Sequence, residues 1–158
     1  MTLENIVLVI AGTLTALTAG LMFAFAVAVN LGLGRLRDSG YLTAMQSINR
    51  AILNPVFLIA FVGPVLLLPL AAFLSDEQLL LMVIASVLYI VGVFGITMTR
   101  NVPLNERLDK VDLATASTEE LAATRQWFEK PWNQWHLIRT LASIAAVALI
   151  FVACIMSR

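Results

Sequence analysis

Between Glu4 and Arg35 the chain carries no charge at all, a run of 30 residues from Asn5 to Gly34. About 20 apolar residues are enough to cross the hydrocarbon of a bilayer as a helix. A run of this length in water would have no polar face to show. The rest of the composition points the same way. Hydrophobic residues make up 60% and charged residues only 13%, against about 25% charged in an ordinary soluble domain, and the mean hydropathy is +0.91. Backbone exposed to lipid must satisfy its own hydrogen bonds, so the expected fold is all-α, an integral membrane four-helix bundle forming one domain over residues 1–158. Ten Lys and Arg balance ten Asp and Glu with no dense basic run, which argues against nucleic acid as a partner. The first run has no basic segment before it and far exceeds the 7–15 residues of a signal-peptide core, so it reads as an uncleaved anchor.

Three further apolar runs follow, giving expected spans at about 5–33, 51–75, 78–99 and 132–156. Lys and Arg set the orientation. Arg35, Arg37 and Arg50 flank the first connection, and Arg100, Arg107, Lys110, Arg125, Lys130 and Arg139 flank the third. The second connection, Ser75-Asp76-Glu77, has none, and the C-terminus has only Arg158. The side carrying nine of the ten basic residues is expected to face the cytoplasm of a cell membrane, with both termini outside. The segment 100–131 is then a cytoplasmic loop. Pro103 biases Val102 away from helix, and a short helix is expected from about Glu106 to Val111. Ser117-Thr118-Glu119-Glu120 offers a capping box for a second, amphipathic helix to Lys130, with Leu121, Arg125 and Phe128 on one face and the membrane interface or a connector role as its place. Pro131 fits the first position of span four.

Small residues recur every fourth position in span one, at Gly12, Ala16, Gly20, Ala24 and Ala28. Such rows let helix backbones approach in lipid, and this one drifts by about 40° per step, so it should serve two neighbours in the bundle. Association of two copies through Gly12, Ala16 and Gly20 is the other use such a row can have. Pro55, Pro64 and Pro69 in span two predict a bend, either for packing or to open a cavity. Span three sets Ser86, Tyr89, Val93, Thr97 and Arg100 within about 80° of one another, with Gly92, Gly95 and Thr99 as a second, small face. Span four sets His136, Arg139 and Ser143 within about 40° of Trp132, while Leu137, Leu141, Ile144 and Ala148 point away toward lipid.

The polar groups gather at one end: Asn49, Arg50 and Asn54 before span two, Arg100, Asn101 and Asn105 after span three, and Trp132, Trp135, His136 and Arg139 at the start of span four. Part of this is interfacial, since Trp belts and snorkelling Arg occur at any membrane surface. An ionisable residue a turn or two inside its helix faces the bundle or a wet cavity. A neutral imidazole at His136 can act as general base toward a weakly acidic substrate, with Arg139 or an Asn stabilising the oxyanion. Equally, His136 can tie the bundle together by bonding a carbonyl or an Asn. One cysteine, Cys154, excludes an internal disulfide, and one histidine excludes a multi-histidine zinc site. A single-histidine haem or a metal held by carboxylates stays open, although the carboxylates lie outside the apolar spans; no metal or cofactor is expected.

Three motifs carry a resemblance: Asn101-Val102-Pro103-Leu104-Asn105 after span three, Trp132-x-x-Trp135-His136-x-x-Arg139-Thr140 opening span four, and Asn49 with Asn54-Pro55 before span two. With four spans in this length, nearly the whole chain resembles the anthrone-oxygenase-like family of small integral membrane proteins. The resemblance implies a polar framework of Asn101, Asn105 and Arg139. For the fungal members it implies oxidation of polycyclic anthrones to anthraquinones by dioxygen. The expectations for this chain are therefore catalysis by His136 and Arg139, with Asn49, Asn54, Arg100, Asn101, Asn105, Trp132 and Trp135 binding a small hydrophobic ligand. The alternative is a non-catalytic bundle that binds lipid, a small hydrophobic ligand or a partner protein. A channel or transporter comes third, since no internal repeat and no carboxylate within the spans supports one.

Overall fold

The computed structural model describes residues 2–75 and 77–156, so Asp76 of the second connection and Ser157 and Arg158 at the C-terminus lie outside the described residues. Four helices are long and apolar enough to cross a membrane: α1 (Leu3–Leu33), α3 (Pro55–Leu74), α4 (Leu79–Asp109) and α5 (Thr118–Met156). A fifth, α2 (Asp38–Ala51), fills the first connection. The bundle is antiparallel. Glu4, Ala71, Ser75, Gln78 and Ala153 surround one small cavity, which brings the start of α1, the end of α3, the start of α4 and the end of α5 to the same end.

There are two cores. The membrane core joins Val7, Ala11 and Met22 of α1, Phe61, Leu68 and Ala71 of α3, Met82, Tyr89 and Val93 of α4, and Ile150 and Ala153 of α5. As expected, Leu137, Leu141, Ile144 and Ala148 are exposed on the outer face of α5. The second core lies at the other end, where Tyr41, Leu42 and Met45 of α2 close on Leu108 of α4 and Phe128 and Trp132 of α5. This cap was not expected. The signal for α2 is present in Tyr41, Leu42, Met45 and Ile48, spaced for one helical face, but it is hidden between far stronger apolar runs.

Five sequence expectations are corrected around this cap. Val102 is helical, at φ −60° and ψ −49°, and in place of a separate helix at 106–111 the Val102–Asp109 segment continues α4. Pro103 lacks a donor, and the chain absorbs this by widening into a π turn over Thr97–Asn101 just before it. Pro131 does not begin span four. The 39-residue α5 runs straight through it from Thr118. A proline inside a helix costs about 3 kcal/mol, offset here by the burial of Leu121, Phe128 and Trp132 against α2 and α4. The face of Leu121, Arg125 and Phe128 therefore packs into the cap and does not lie along a membrane interface. Finally, α3 begins at Pro55, not near residue 51: the Asn54 Oδ1 accepts from the Phe57 N–H at 3.0 Å and caps the helix. The capping box is formed as read, with Ser117 N donating to Glu120 Oε2 at 2.8 Å and Glu120 N to Ser117 Oγ at 3.2 Å.

Arg125 fastens the cap to the membrane bundle. Its guanidinium donates to the Gly34 carbonyl at 2.9 Å, the Leu36 carbonyl at 2.8 Å, Asp38 Oδ1 at 3.0 Å and Glu129 Oε2 at 2.6 Å. The two carbonyls follow the end of α1, where helical acceptors lack helical donors.

A neighbouring helix supplies the donor that Pro64 of α3 lacks. Pro64 has no N–H for the Ala60 carbonyl, and Thr18 Oγ1 of α1 donates to that oxygen at 3.0 Å. Tyr89 Oη donates to the adjacent Phe61 carbonyl at 2.8 Å. The row of small residues in α1 does not serve two neighbours as expected: a Cβ on Gly12 would meet Ile150 of α5 at 3.4 Å, whereas Gly20 has nothing within 4 Å, and Ala24 and Ala28 are exposed, because the drift carries them off the bundle face. On α4 the small face is used at Gly92, where an added Cβ would stand 2.7 Å from the Ala142 Cβ.

Candidate functional site

The ends of α4 and the middle of α5 meet in an antiparallel seam of side-chain pairs. Arg139 reaches Thr97, with Nη1 donating to Oγ1 at 3.0 Å. One step along, the Arg100 guanidinium lies 4.8 Å from the centroid of the Trp135 ring. Then Asn101 Nδ2 donates to the Trp132 carbonyl at 3.2 Å, and Trp132 Nε1 donates to Asn105 Oδ1 at 2.8 Å. Last, Arg107 sits 3.9 Å over the Trp127 ring. The two motifs read from the sequence are the two sides of this seam. Arg107 and Trp127 extend it beyond them.

At its membrane end the seam holds a dyad of buried His136 and half-buried Arg139. His136 is 2% exposed. Its Nδ1 accepts from Arg139 Nη2 at 3.0 Å and Nε at 3.3 Å. A guanidinium has donors only, so Nδ1 is unprotonated and Nε2 carries the hydrogen. That hydrogen is donated to the Met22 carbonyl of α1 at 3.0 Å. The imidazole lies flat on the Trp132 indole, with centroids 4.9 Å apart and 10° between planes. Phe25 closes it from α1 at 6.1 Å. One turn on, Thr140 Oγ1 donates to the His136 carbonyl at 2.7 Å.

The backbone around the dyad is irregular on both sides. α1 is π-helical over Phe25–Val29, and α4 over Leu88–Gly95 and Thr97–Asn101. Such turns widen a helix by one residue and redirect side chains, and they recur at functional sites. Here they set Phe25 beside His136, and Thr97 and Asn101 toward α5.

Three features define what the arrangement can do. Arg139 pairs with no carboxylate among the described residues, and holding a bare cation in protein costs several kcal/mol. Its bonds to His136 and Thr97 use Nε and one hydrogen each of Nη1 and Nη2, leaving two of five N–H donors for another acceptor. Second, Asn101 is 1% exposed, and its Oδ1 has no partner. Third, among the described residues no three His, Cys, Asp or Glu side chains converge as metal ligands. The site is a set of nitrogen donors and one orphaned amide oxygen.

The other expected site residues fall elsewhere. Asn54 is the exposed cap of α3, its Nδ2 donating to the Ala51 carbonyl at 3.0 Å. Arg100 is exposed on the outer side of the seam and turns away from the polar stripe of α4. Asn49 lies on α2, half-buried, with Nδ2 unpartnered. Asn105 is spent on Trp132. Thr97 and the Met22 carbonyl complete the dyad. Thr97 was visible as the residue one turn before Asn101, whereas a backbone carbonyl leaves no trace in a sequence. A cavity of about 530 Å³ lies on the cap between Gln46, Arg50 and residues 109–114, away from the dyad.

The family model for anthrone oxygenase matches residues 44–149, more than half of the chain. The chain belongs to the anthrone oxygenase family. The match begins in α2 and ends in α5, so it takes in the seam, Asn101, His136 and Arg139. No curated protein and no solved structure matches the chain.

Proposed function

We propose that the protein is a membrane-embedded oxygenase acting with dioxygen on a flat, bilayer-soluble aromatic compound that has an acidic CH₂ conjugated to a ring ketone. The observation that carries this reading is the half-buried Arg139 guanidinium, paired with no carboxylate among the described residues and with two N–H donors to spare, touching the unprotonated nitrogen of His136. An anion that forms during reaction is the natural complement of such a cation.

The chemistry follows from the contact between the two residues. In the resting arrangement Arg139 covers the His136 Nδ1 lone pair. As the ketone oxygen of the substrate engages the guanidinium, it competes with Nδ1, and the imidazole is released to take a CH₂ proton. The enolate oxygen stays at Arg139. Dioxygen adds to the carbanion to give a peroxide, which takes the proton back from His136. Loss of the remaining C–H proton to His136 breaks the O–O bond. A new ring ketone and hydroxide result, and the hydroxide leaves as water with the second proton. In total, CH₂ and O₂ become C=O and H₂O.

Oxygen uptake by the purified protein in lipid nanodiscs, with anthrone as substrate, tests the proposal. One quinone should form per O₂ consumed. Arg139→Gln and His136→Ala should each lower kcat/KM by about 10²-fold or more. Uptake unchanged in both folded variants would refute the assignment. In the same reading the cap faces the cytoplasm, because Arg35, Arg37, Arg50, Arg107, Lys110 and Lys130 are exposed at that end, and a tag at either terminus should be accessible only from outside.

A second reading has one observation in its favour. Both ring nitrogens of His136 are engaged, as suits a residue that ties α1, α4 and α5 together. Under it the protein binds a hydrophobic ligand without turnover, and no oxygen is consumed.

A further inference from the structure

The seam leaves one buried polar atom with nothing to do. Asn101 is 1% exposed, its Nδ2 is committed to the Trp132 carbonyl at 3.2 Å, and its Oδ1 has no partner. Leaving a buried acceptor unsatisfied costs free energy that any donor in the right place recovers. Asn101 shares its face of α4 with Thr97, one turn away, and Thr97 is the residue on which Arg139 rests. It is also bonded to the same Trp132 whose ring covers His136. Asn101 and Arg139 are thus joined through Thr97 and Trp132 on one side of the seam.

From this juxtaposition we infer that Asn101 is a specificity-determining residue: its Oδ1 reads a hydrogen-bond donor, an O–H or N–H, carried by the ligand on the same edge as the oxygen that Arg139 receives. The inference rests on the ligand site proposed above. It adds a requirement that an oxyanion receptor alone would not impose. A flat ketone with no donor fills the site but leaves Oδ1 desolvated and unpaired. A ligand with a donor on that edge satisfies both residues at once. The discrimination is strong for the reason that polar recognition generally is, since the wrong ligand leaves a buried group stranded. The amide is held against rotation by its bond to the Trp132 carbonyl, so the acceptor is presented in a fixed direction.

Binding of xanthones separates this requirement from turnover, because a xanthone has the flat ring ketone but no CH₂ to oxidise. The probes are the four monohydroxyxanthones and the methyl ether of each, titrated into the intact protein in nanodiscs by quenching of tryptophan fluorescence. In the native protein at least one hydroxyl isomer should bind about tenfold or more tighter than its own ether, the worth of one satisfied buried acceptor. Asn101→Leu should bring that ratio to within about twofold. Asn101→Ser gives a second variant where leucine disturbs folding. Its hydroxyl will bond back to the Thr97 carbonyl, as Thr97 and Thr99 bond back to Val93 and Gly95 at 2.7 and 2.8 Å, withdrawing the acceptor while the helix stays intact. The ratio should collapse there too.

A ratio that survives in both variants, or no preference for any hydroxyl isomer in the native protein, overturns the inference. Its failure is distinct from failure of the oxygenase reading. Oxygen uptake with no hydroxyl preference removes the Asn101 role alone. A preference that depends on Asn101, without uptake, leaves it standing in a binding protein.

Discussion

Replacing Thr18 by valine removes one hydroxyl and keeps the shape of the side chain. Its effect depends on a residue in another helix. Thr18 Oγ1 donates to the Ala60 carbonyl at 3.0 Å, and that carbonyl lacks its helical donor because residue 64 is proline. Hydrogen bonds between membrane helices are worth about 0.6 kcal/mol on average and about 1.7 at most, and an acceptor left unpaired costs about 1–3 kcal/mol. The Ala60 carbonyl is partly buried and has no helical alternative, so Thr18→Val should cost about 1–1.5 kcal/mol. That is about tenfold in the unfolding equilibrium. In the Pro64→Ala protein the backbone N–H restored at position 64 takes over the Ala60 carbonyl, and the same Thr18→Val change should cost less than about 0.5 kcal/mol. The coupling energy between sites 18 and 64 is then about 0.5–1 kcal/mol. Tyr89→Phe is the comparison: its hydroxyl bonds the Phe61 carbonyl at 2.8 Å, which faces the N–H of Val65, not a proline, and stands 3.5 Å from Thr18 Oγ1, so its cost should change between the two backgrounds by less than that of Thr18→Val. Reversible unfolding in mixed micelles, followed by tryptophan fluorescence, measures each single and double variant. If Thr18→Val costs as much in the Pro64→Ala background as beside the native Pro64, the hydroxyl does not serve the proline and the reasoning fails.

Arg125→Ala should destabilise the protein by about 2–3 kcal/mol, since one partly buried guanidinium serves two carbonyls and two carboxylates; amide exchange should rise first over residues 34–51, and Arg125→Lys should recover only part, for want of the planar fork. Gly92→Ala should lower Tm more than Gly63→Ala. The first Cβ would meet the Ala142 Cβ at 2.7 Å and force two helices apart, while the second meets the movable tip of Leu14 at 2.6 Å. Burial, and then the charge of Glu129, push the Tyr41 phenol well above its usual value. Above about pH 10 the unfolded chain loses this proton while the folded cap keeps it. Stability should therefore fall as pH rises through that region, and Tyr41→Phe should flatten the fall in alkaline melts.

The parts of the fold governed by bilayer physics were legible, because a span must be apolar for its whole length whatever it packs against. The four spans and the lipid face of Leu137, Leu141 and Ile144 followed from this. The cap was not legible, because its helices are set by contacts between segments far apart in the chain. Pro131 illustrates the point: its local preference is to start a helix, and only the burial of Phe128 and Trp132 against α2 makes continuing through it favourable. In the candidate site, spacing on one helix correctly joined Trp132, His136 and Arg139. Asn54 shows the opposite case, a polar residue near the right end whose side chain is consumed in starting its own helix. Which carbonyl His136 would find, and that Arg100 would turn outward while Asn101 turned in, depended on π turns that a count of 100° per residue does not contain.

The cap also constrains how the chain is made. Its three pieces come from the first connection, the tail of α4 and the head of α5, so it closes only when the last of them leaves the ribosome. Until then Tyr41, Leu42 and Met45 have no surface of their own to cover them. The nascent α2 must wait with its greasy side parked elsewhere, and the nearby bilayer is the obvious berth. A pause in synthesis between Asp109 and Thr118 would thus prolong the most vulnerable moment in this protein's biogenesis.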